Sequence, residues 1–393
     1  MHVLLINSLY HPRIFGGAER SVQFLAEALL QAGHRATVIT TTPEKTASRA
    51  EVNGVEVHYV PVANIYWPFA PTGGSAIFHA LDICNPTMQA RVGAILDVAR
   101  PDVLQTNTLV GISVSAWRAA HARGIPVLHT LRDFYLLCPN AKMFRRGKNC
   151  VEVCARCRLF YWPKRGVSRL VRGVVGNSRF MLDRHLAEGF FPTAKLRTVI
   201  HNAYQFDGAP VATPPESAAP LRLGYLGRLD EYKGVSHLLE AASRLPAGSI
   251  ELLLAGRGAP EYEAEIRARF AALQIQWLGF IPPEQLFSRV DALAVPSLWH
   301  EPLPRAVFEA YAHGIPVITS DRGGMPELVE HGVTGFMFDP AQPDALFAIL
   351  QRVTAQKNIL SEMRAACLRR AADFAPARIA ESYQAAYRAV ANP

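Results

Sequence analysis

Runs of aliphatic and β-branched residues alternate along this chain with segments whose apolar positions recur every three or four residues. The first half predicts strands at Val3–Ile6, Ala36–Thr40, Val55–Tyr59, Val103–Thr106 and Val127–Leu131, and helices at Glu19–Ala32, Val92–Ala99 and Ser113–Ala122. The first helix carries its apolar stripe at Val22, Leu25, Ala26 and Leu29, and Gly33 ends it. Gly208–Pro220, rich in Pro, Ala and Ser, reads as a linker. Alternation then restarts. Strands are predicted at Leu221–Gly227, Ile250–Ala255, Ala292–Val295 and Val317–Ser320, and helices at Ser236–Leu245, Tyr262–Leu273 and Arg305–His313. Strands alternating with helices imply parallel, doubly wound α/β sheets. The expected architecture is two Rossmann-like doubly wound domains facing a central cleft. Expected boundaries are 1–205 and 221–370, joined by 206–220, with 371–393 as a closing helical segment.

At 393 residues, half of them apolar, the chain can bury two full cores. Met1–Asn7 has no basic leader and too short an apolar run for a signal peptide, so it reads as a buried strand. No run of about 18 apolar residues marks a membrane span. The expected location is therefore cytoplasmic, with peripheral docking on the inner membrane face as an extension.

Charge adds a second feature. Residues 1–200 hold 24 Lys and Arg against 12 Asp and Glu, whereas residues 201–393 hold 17 against 21. Ten of the basic residues fall within 142–172 with one acid, Glu152, and Phe160, Tyr161 and Trp162 interleave with them. Such a patch suits anionic headgroups or a phosphorylated acceptor. No nucleic-acid module accompanies it, so nucleic acid is not an expected partner. A merely solvated basic loop is the competing reading.

The most informative chemistry lies at 300–310. Glu301 and Glu309 stand eight positions apart in what reads as the start of a helix, with Pro302 and Pro304 in its approach and first turn. At about 1.5 Å per residue this separates the carboxylates by roughly 12 Å. That span suits a nucleotide-sugar, with the hexose at one acid, the ribose at the other and the diphosphate over the helix N-terminus.

Around this pair the chain resembles the family 4 retaining glycosyltransferases of the GT-B fold. The resemblance rests on Gly16-Gly17-Ala18-Glu19-Arg20 after the first strand, Gly227-Arg228-Leu229-Asp230-Glu231-Tyr232-Lys233-Gly234, Leu254-Ala255-Gly256-Arg257-Gly258, Leu278-Gly279-Phe280, Pro296-Ser297 through Glu309, Gly314-Ile315-Pro316-Val317 and Gly323-Gly324-Met325-Pro326-Glu327. It implies an enzyme that moves a hexose from a UDP- or GDP-sugar to a hydroxyl acceptor, with retention at the anomeric carbon, and the basic, aromatic loop suggests a lipid-linked or polysaccharide acceptor. Glu301 lies beside the transferred sugar and Glu309 accepts the ribose hydroxyls in that picture. Arg228 and Lys233 neutralise the leaving diphosphate, so that no divalent metal is required, and no Asp-x-Asp is present. Gly16 and Gly17 bring backbone N–H groups near phosphate or acceptor. Gly227, Gly256, Gly258, Phe280 and Ile281 line strand ends on the nucleotide side, with core packing the competing reading for Phe280. Arg305 and Ala306 present N–H groups to the phosphate. One departure stands out: Arg132 takes the position of the family's usual His, ahead of Asp133. An arginine cannot exchange a proton near neutral pH, but it can bind a hydroxyl or phosphate. His129, three residues earlier, reads as core.

Cys138, Cys150, Cys154 and Cys157 form a C-x11-C-x3-C-x2-C cluster inside the basic segment 138–172. A structural zinc is the leading expectation, an iron–sulfur centre the next, and free thiols or disulfides the alternatives. Cys84 and Cys367 read as core. Two further readings of the whole chain stay open: an epimerase or phosphorylase of the same plan, and a catalytically silent nucleotide-sugar-binding partner. The sequence leaves the base, sugar, linkage and oligomeric state open.

Overall fold

The computed structural model describes residues 1–14, 16–62, 76–205 and 219–392. Most of the linker predicted at Gly208–Pro220 lies outside them. The chain divides into two compact units: residues 1–143, 150–203 and 376–393 form the first, and residues 144–149 and 204–375 the second.

The first unit is built on β1 (His2–Ile6), β2 (Arg35–Thr42), β3 (Ser48–Val52), β4 (Val55–Pro61), β5 (Val103–Thr106) and β6 (Val127–Leu131). A two-stranded hairpin follows, β7 (Phe144–Arg145) and β8 (Lys148–Asn149), and then β9 (Gly173–Gly176) and β10 (Leu196–Val199). Its eight-stranded sheet runs β10-β9-β6-β5-β1-β2-β4-β3, parallel except for β3. β5 and β6 are buried at every position and β1 at all but His2, so both faces of these strands are covered, the polar Gln105, Thr106, His129 and Thr130 included. The polar β3, absent from the sequence prediction, is the exposed antiparallel edge, where charge discourages further strand pairing.

The helix Gly17–Gln31 buries Val22, Leu25, Ala26 and Leu29 as expected. Gly33 closes it at φ +79°, with the N–H of His34 donating to Leu29 O. The last helix, Pro376–Ala391, packs into this core through Ile379, Tyr383, Ala386, Tyr387 and Val390. A Cβ at Gly173 would sit 2.5 Å from Val390 Cγ1, so this strand position must be bare. The preceding helix Asn358–Ala371 belongs to the second unit, so only Pro376 onward returns to the first.

The second unit holds β11 (Leu221–Leu226), β12 (Ile250–Ala255), β13 (Ile275–Gly279), β14 (Ala292–Val295), β15 (Val317–Ser320) and β16 (Gly335–Phe338). They form one fully parallel sheet in the order β13-β12-β11-β14-β15-β16. Each unit is thus a doubly wound α/β layer. Strand order reverses between β1 and β5 in the first and between β11 and β14 in the second. Loops diverge at such a switch point and leave room for a ligand at the carboxyl ends of the strands.

Among the described residues no helix is long and apolar enough to cross a membrane.

Burial creates an acid-sensitive element in the first unit. His185 has no exposed surface. Its Nδ1 lies 2.8 Å from Met181 O, Nε2 has no partner, and Phe134 and Phe190 flank the ring. Burial pulls its pKa down to about 4 from 6.5. Between pH 6.5 and 4 the unfolded chain takes up a proton that the folded chain refuses, so stability falls as pH falls through this window. His185→Leu removes that loss. Relative to its effect at pH 7.5, the variant should gain about 2 kcal/mol over wild type at pH 5. Urea midpoints at the two pH values measure this difference. An equal gap at both would show that His185 does not titrate as described.

Candidate active site

In the second unit every motif loop leaves the carboxyl end of a strand. Gly227–Gly234 follows β11, Gly256–Gly258 follows β12, Phe280 follows β13, Pro296–Pro304 follows β14, and Asp321–Gly324 follows β15. The glycines permit a tight weave. A Cβ at Gly256 would lie 1.8 Å from Gly227 O, and one at Gly258 would lie 2.0 Å from Leu229 O. Gly234, at φ +74°, passes so close to Pro296 that a Cβ would stand 1.9 Å from its carbonyl oxygen. The β11 and β14 loops are thereby held backbone to backbone at the switch point.

Glu301 and Lys233 meet there. Lys233 Nζ donates to Glu301 Oε1 at 2.7 Å, and the Ser297 hydroxyl donates to the same oxygen. Lys233 Nζ also lies 5.4 Å from the Trp299 ring centroid. Arg228 pairs with Asp230, Nη2 to Oδ2, at 2.6 Å. Glu309 receives Arg305 through Nη2 at 2.6 Å and Nε at 3.1 Å. Both acids are buried, 6% exposed for Glu301 and 7% for Glu309, which excludes solvated surface carboxylates.

The helical ruler between these acids does not hold. The helix spans Arg305–Ala312, and Pro304 is its extended N-cap, so Glu301 lies in the loop before it. Prolines at 302 and 304 remove two backbone donors and hold the chain out of the helix, so the 12 Å spacing derived from helical rise is withdrawn. The first helical N–H groups are those of Arg305 and Ala306, as expected.

Glu301 is instead fixed by the β15 loop. Gly324 N donates to Glu301 O at 2.8 Å, and Gly323 N donates to His300 Nδ1 at 3.1 Å. Phe280 is 88% exposed, which removes core packing as its role, while Ile281 packs partly on the apolar core.

In the first unit a polar cluster likewise gathers at strand ends. Gly16 and Gly17 follow β1, with Gly16 extended and Gly17 opening the helix, and Gly16 N donates to Glu19 Oε2 at 2.7 Å. Burial raises the pKa of Glu19, and Arg132 and Asp133 are close enough to act on its charge. Arg132, buried after β6, donates through Nε to Asn107 Oδ1 at 2.9 Å and through Nη1 to Asn202 Oδ1. Asp133 accepts from Tyr135 N at 2.8 Å and from the Thr108 hydroxyl at 3.0 Å, and burial raises its pKa. His129 is core, as expected: Nδ1 meets Thr106 Oγ1 at 2.8 Å, Phe191 stacks on the ring, and burial pulls its pKa down to about 3. The partners Asn107, Asn202 and Thr108 have no role in the sequence reading, and Ser297 enters it only as part of the motif running to Glu309. Asn107 and Thr108 follow a predicted strand, whereas Asn202 follows the unpredicted β10.

Two expectations for residues 138–172 change. Lys164 is not part of a basic surface. It is 3% exposed, 3.8 Å from Asp82 and 3.4 Å above the Tyr135 ring, and burial pulls its pKa down to about 8. The cysteines are all reduced, and Cys84 is exposed rather than core. Cys157 shares hydrogen bonds with Cys138 and Cys154, and burial pushes its thiol pKa well up. Among the described residues no group of three or more His, Cys, Asp or Glu side chains is arranged to hold a metal ion. The structure does not show the zinc or iron–sulfur site expected on Cys138, Cys150, Cys154 and Cys157.

Comparison with known proteins agrees with this geometry. Residues 215–373 match the family described as glycosyl transferases group 1, and residues 16–203 match the glycosyl transferase 4-like domain. An uncharacterized 42.6 kDa protein in the cps region of Klebsiella pneumoniae is 31% identical over 84% of this chain and 87% of its own length. Glycogen synthase of Mycobacterium tuberculosis is 27% identical over 90% of this chain and 86% of its own length. HepE of Anabaena, solved with UDP and glucose, superposes with a TM-score of 0.72 at 21% identity over 99% of this chain and all of its own. Sucrose-phosphate synthase of Thermosynechococcus elongatus superposes at 0.76 and 21% identity over 98% of each chain. These likenesses show the GT-B fold. With its switch-point motifs and both family domains in place, the chain belongs to the group 1 glycosyltransferases.

Proposed function

We propose that this glycosyltransferase moves a hexose from a UDP- or GDP-sugar to a hydroxyl of a lipid-linked or polysaccharide acceptor, with retention at the anomeric carbon. The observation that carries this reading is the buried Glu301 carboxylate held by Lys233 and Ser297 at the switch point of the second unit. A buried acid whose charge is fixed by two donors can stabilise an oxocarbenium-like centre without attacking it. Arg228 and Lys233 bring positive charge to the diphosphate, and Glu309 grips the ribose. Arg132 and Asp133, with the Gly16–Gly17 turn, form the acceptor-side polar cluster.

The solved relative HepE binds UDP and glucose, which favours UDP as the base carrier. The cps-region relative and an amylovoran biosynthesis glycosyltransferase of Erwinia amylovora favour a polysaccharide intermediate. Incubation of UDP-glucose, UDP-galactose and GDP-mannose with a lipid-linked glycan acceptor in EDTA tests donor and metal together. Release of the free nucleoside diphosphate from one of them is expected, with an α-linked product by NMR from these α-configured donors. No turnover of any donor would favour the silent partner, and interconversion of the free nucleotide-sugars would favour an epimerase.

Acceptor delivery on a membrane surface rests on the helix Ala155–Val167. Leu159 and Trp162 are 72% and 68% exposed there, beside the exposed Arg156 and Arg158. Apolar side chains framed by cations suit an anionic lipid face. The protein should co-sediment with phosphatidylglycerol vesicles and not with phosphatidylcholine vesicles. Leu159→Ser with Trp162→Ser should weaken this at least tenfold while leaving donor turnover unchanged.

A further inference from the structure

The hairpin β7–β8 is the one part of the sequence before residue 204 that folds within the second unit. Its turn, Arg146-Gly147, has φ of +51° and +72°, the backbone that a two-residue hairpin needs. Asn149, at its end, makes a two-point bridge to the β14 loop. Its Nδ2 donates to Leu298 O at 2.6 Å, and its Oδ1 accepts from His300 N at 2.8 Å. A side-chain amide here satisfies one acceptor and one donor of an irregular segment, as a neighbouring strand would.

The same segment is tied to the cation loop by Leu298 N and Trp299 N, which donate to Tyr232 O at 3.0 and 3.2 Å. Rings continue the contact: Phe144 lies 6.1 Å from Tyr232, and Tyr232 meets Trp299 edge to face at 5.7 Å. Residues 298–301 therefore hang from three supports: the Tyr232 carbonyl, the Gly323–Gly324 pair and Asn149. The first two belong to the motif loops around Glu301. Asn149 comes from a distant stretch, and its amide fixes the two residues that lead into the buried Glu301.

We propose that Asn149 is a positioning residue for sugar transfer, setting the 298–300 backbone so that the Glu301 carboxylate and the Lys233 ammonium meet the donor in register. The inference rests on the reading of Glu301 and Lys233 as transfer groups. It predicts a loss in kcat and in donor handling rather than in acceptor affinity. A displacement of about 1 Å at a reacting group can cost about 100-fold in rate.

The test compares Asn149→Ala, Asn149→Asp and Glu301→Gln in the full chain, using the donor that supports turnover. Asn149→Ala should lower kcat by about 10- to 100-fold, with acceptor KM and Tm near wild type. Asn149→Asp keeps the acceptor for His300 N–H but sets a second oxygen against Leu298 O, so it should not rescue kcat. Wild-type kcat in Asn149→Ala overturns the proposal, as does a fall in kcat matched by an equal rise in acceptor KM and a collapse of Tm in both Asn149 variants. Full activity of Glu301→Gln overturns the underlying reading instead, which separates the two failures.

Discussion

Lys233→Ala should slow sugar transfer by about a thousandfold under saturating donor and acceptor. The lysine is the direct partner of Glu301, at 2.7 Å, and that carboxylate is buried. Removing it has two effects that act together. The leaving diphosphate loses a preorganised cation, a change that costs about 100- to 1,000-fold in comparable oxyanion sites. Glu301 is also left with only the Ser297 hydroxyl of these two partners, and removing one partner of a buried charge pair is costly.

Glu301→Gln should lose a similar factor, because it removes the other half of the same pair. The double variant should be no worse than about tenfold below either single one, since groups that act as a unit are not additive. Initial rates with isothermal titration of UDP decide this. Wild-type kcat in Lys233→Ala would place the transfer step elsewhere.

The next largest effect is expected at a residue with no side chain. Gly323 adopts φ +65°, and a Cβ there would lie 2.1 Å from Glu301 O and 2.6 Å from Glu301 N. The left-handed conformation costs a non-glycine residue about 1–2 kcal/mol. The contact cannot relax by turning a side chain, because the opposing atoms are the backbone of Glu301 itself. Gly323→Ala should therefore push the 300–301 segment out of place, breaking the Gly324 N to Glu301 O bond at 2.8 Å.

A total cost of about 2–5 kcal/mol follows when forced overpacking is added to the backbone strain. Donor turnover should fall at least a hundredfold even at temperatures where the fold persists. Gly332→Ala is the control: it also has positive φ, at +82°, but nothing lies within 4 Å of its Cβ position. It should lose stability through strain alone and keep its activity. Equal activity losses in the two variants would show that the backbone of Glu301 is not the point of failure.

Much of the fold was legible along the chain. Val103–Thr106, Val127–Leu131, Ile250–Ala255, Ala292–Val295 and Val317–Ser320 are strands at the predicted bounds, because short runs rich in aliphatic and β-branched residues suit strands covered on both faces. Several missed strands lack that signature. β3 is polar because it is an exposed edge, β7–β8 has two residues per strand, and β9 contains two glycines that make room for neighbouring side chains. Among the motif glycines, Gly234, Gly256, Gly258 and Gly323 each sit where another backbone passes. The error over the Glu301–Glu309 spacing came from extending a helical repeat across two prolines.

Two doubly wound α/β units, the order of their strand-end loops, and the acids, cations and glycines those loops carry all follow from local patterns: apolar periodicity, chain-breaking residues and motif spacing. Which charges pair and which are buried follows from packing alone. Lys233 finds Glu301 68 residues away, and Lys164 leaves the basic surface for Asp82. Cys157 meets Cys138 and Cys154, and Asn149 joins a loop about 150 residues further on. Pairing and burial depend on which chain segments pack together, and no local period encodes that.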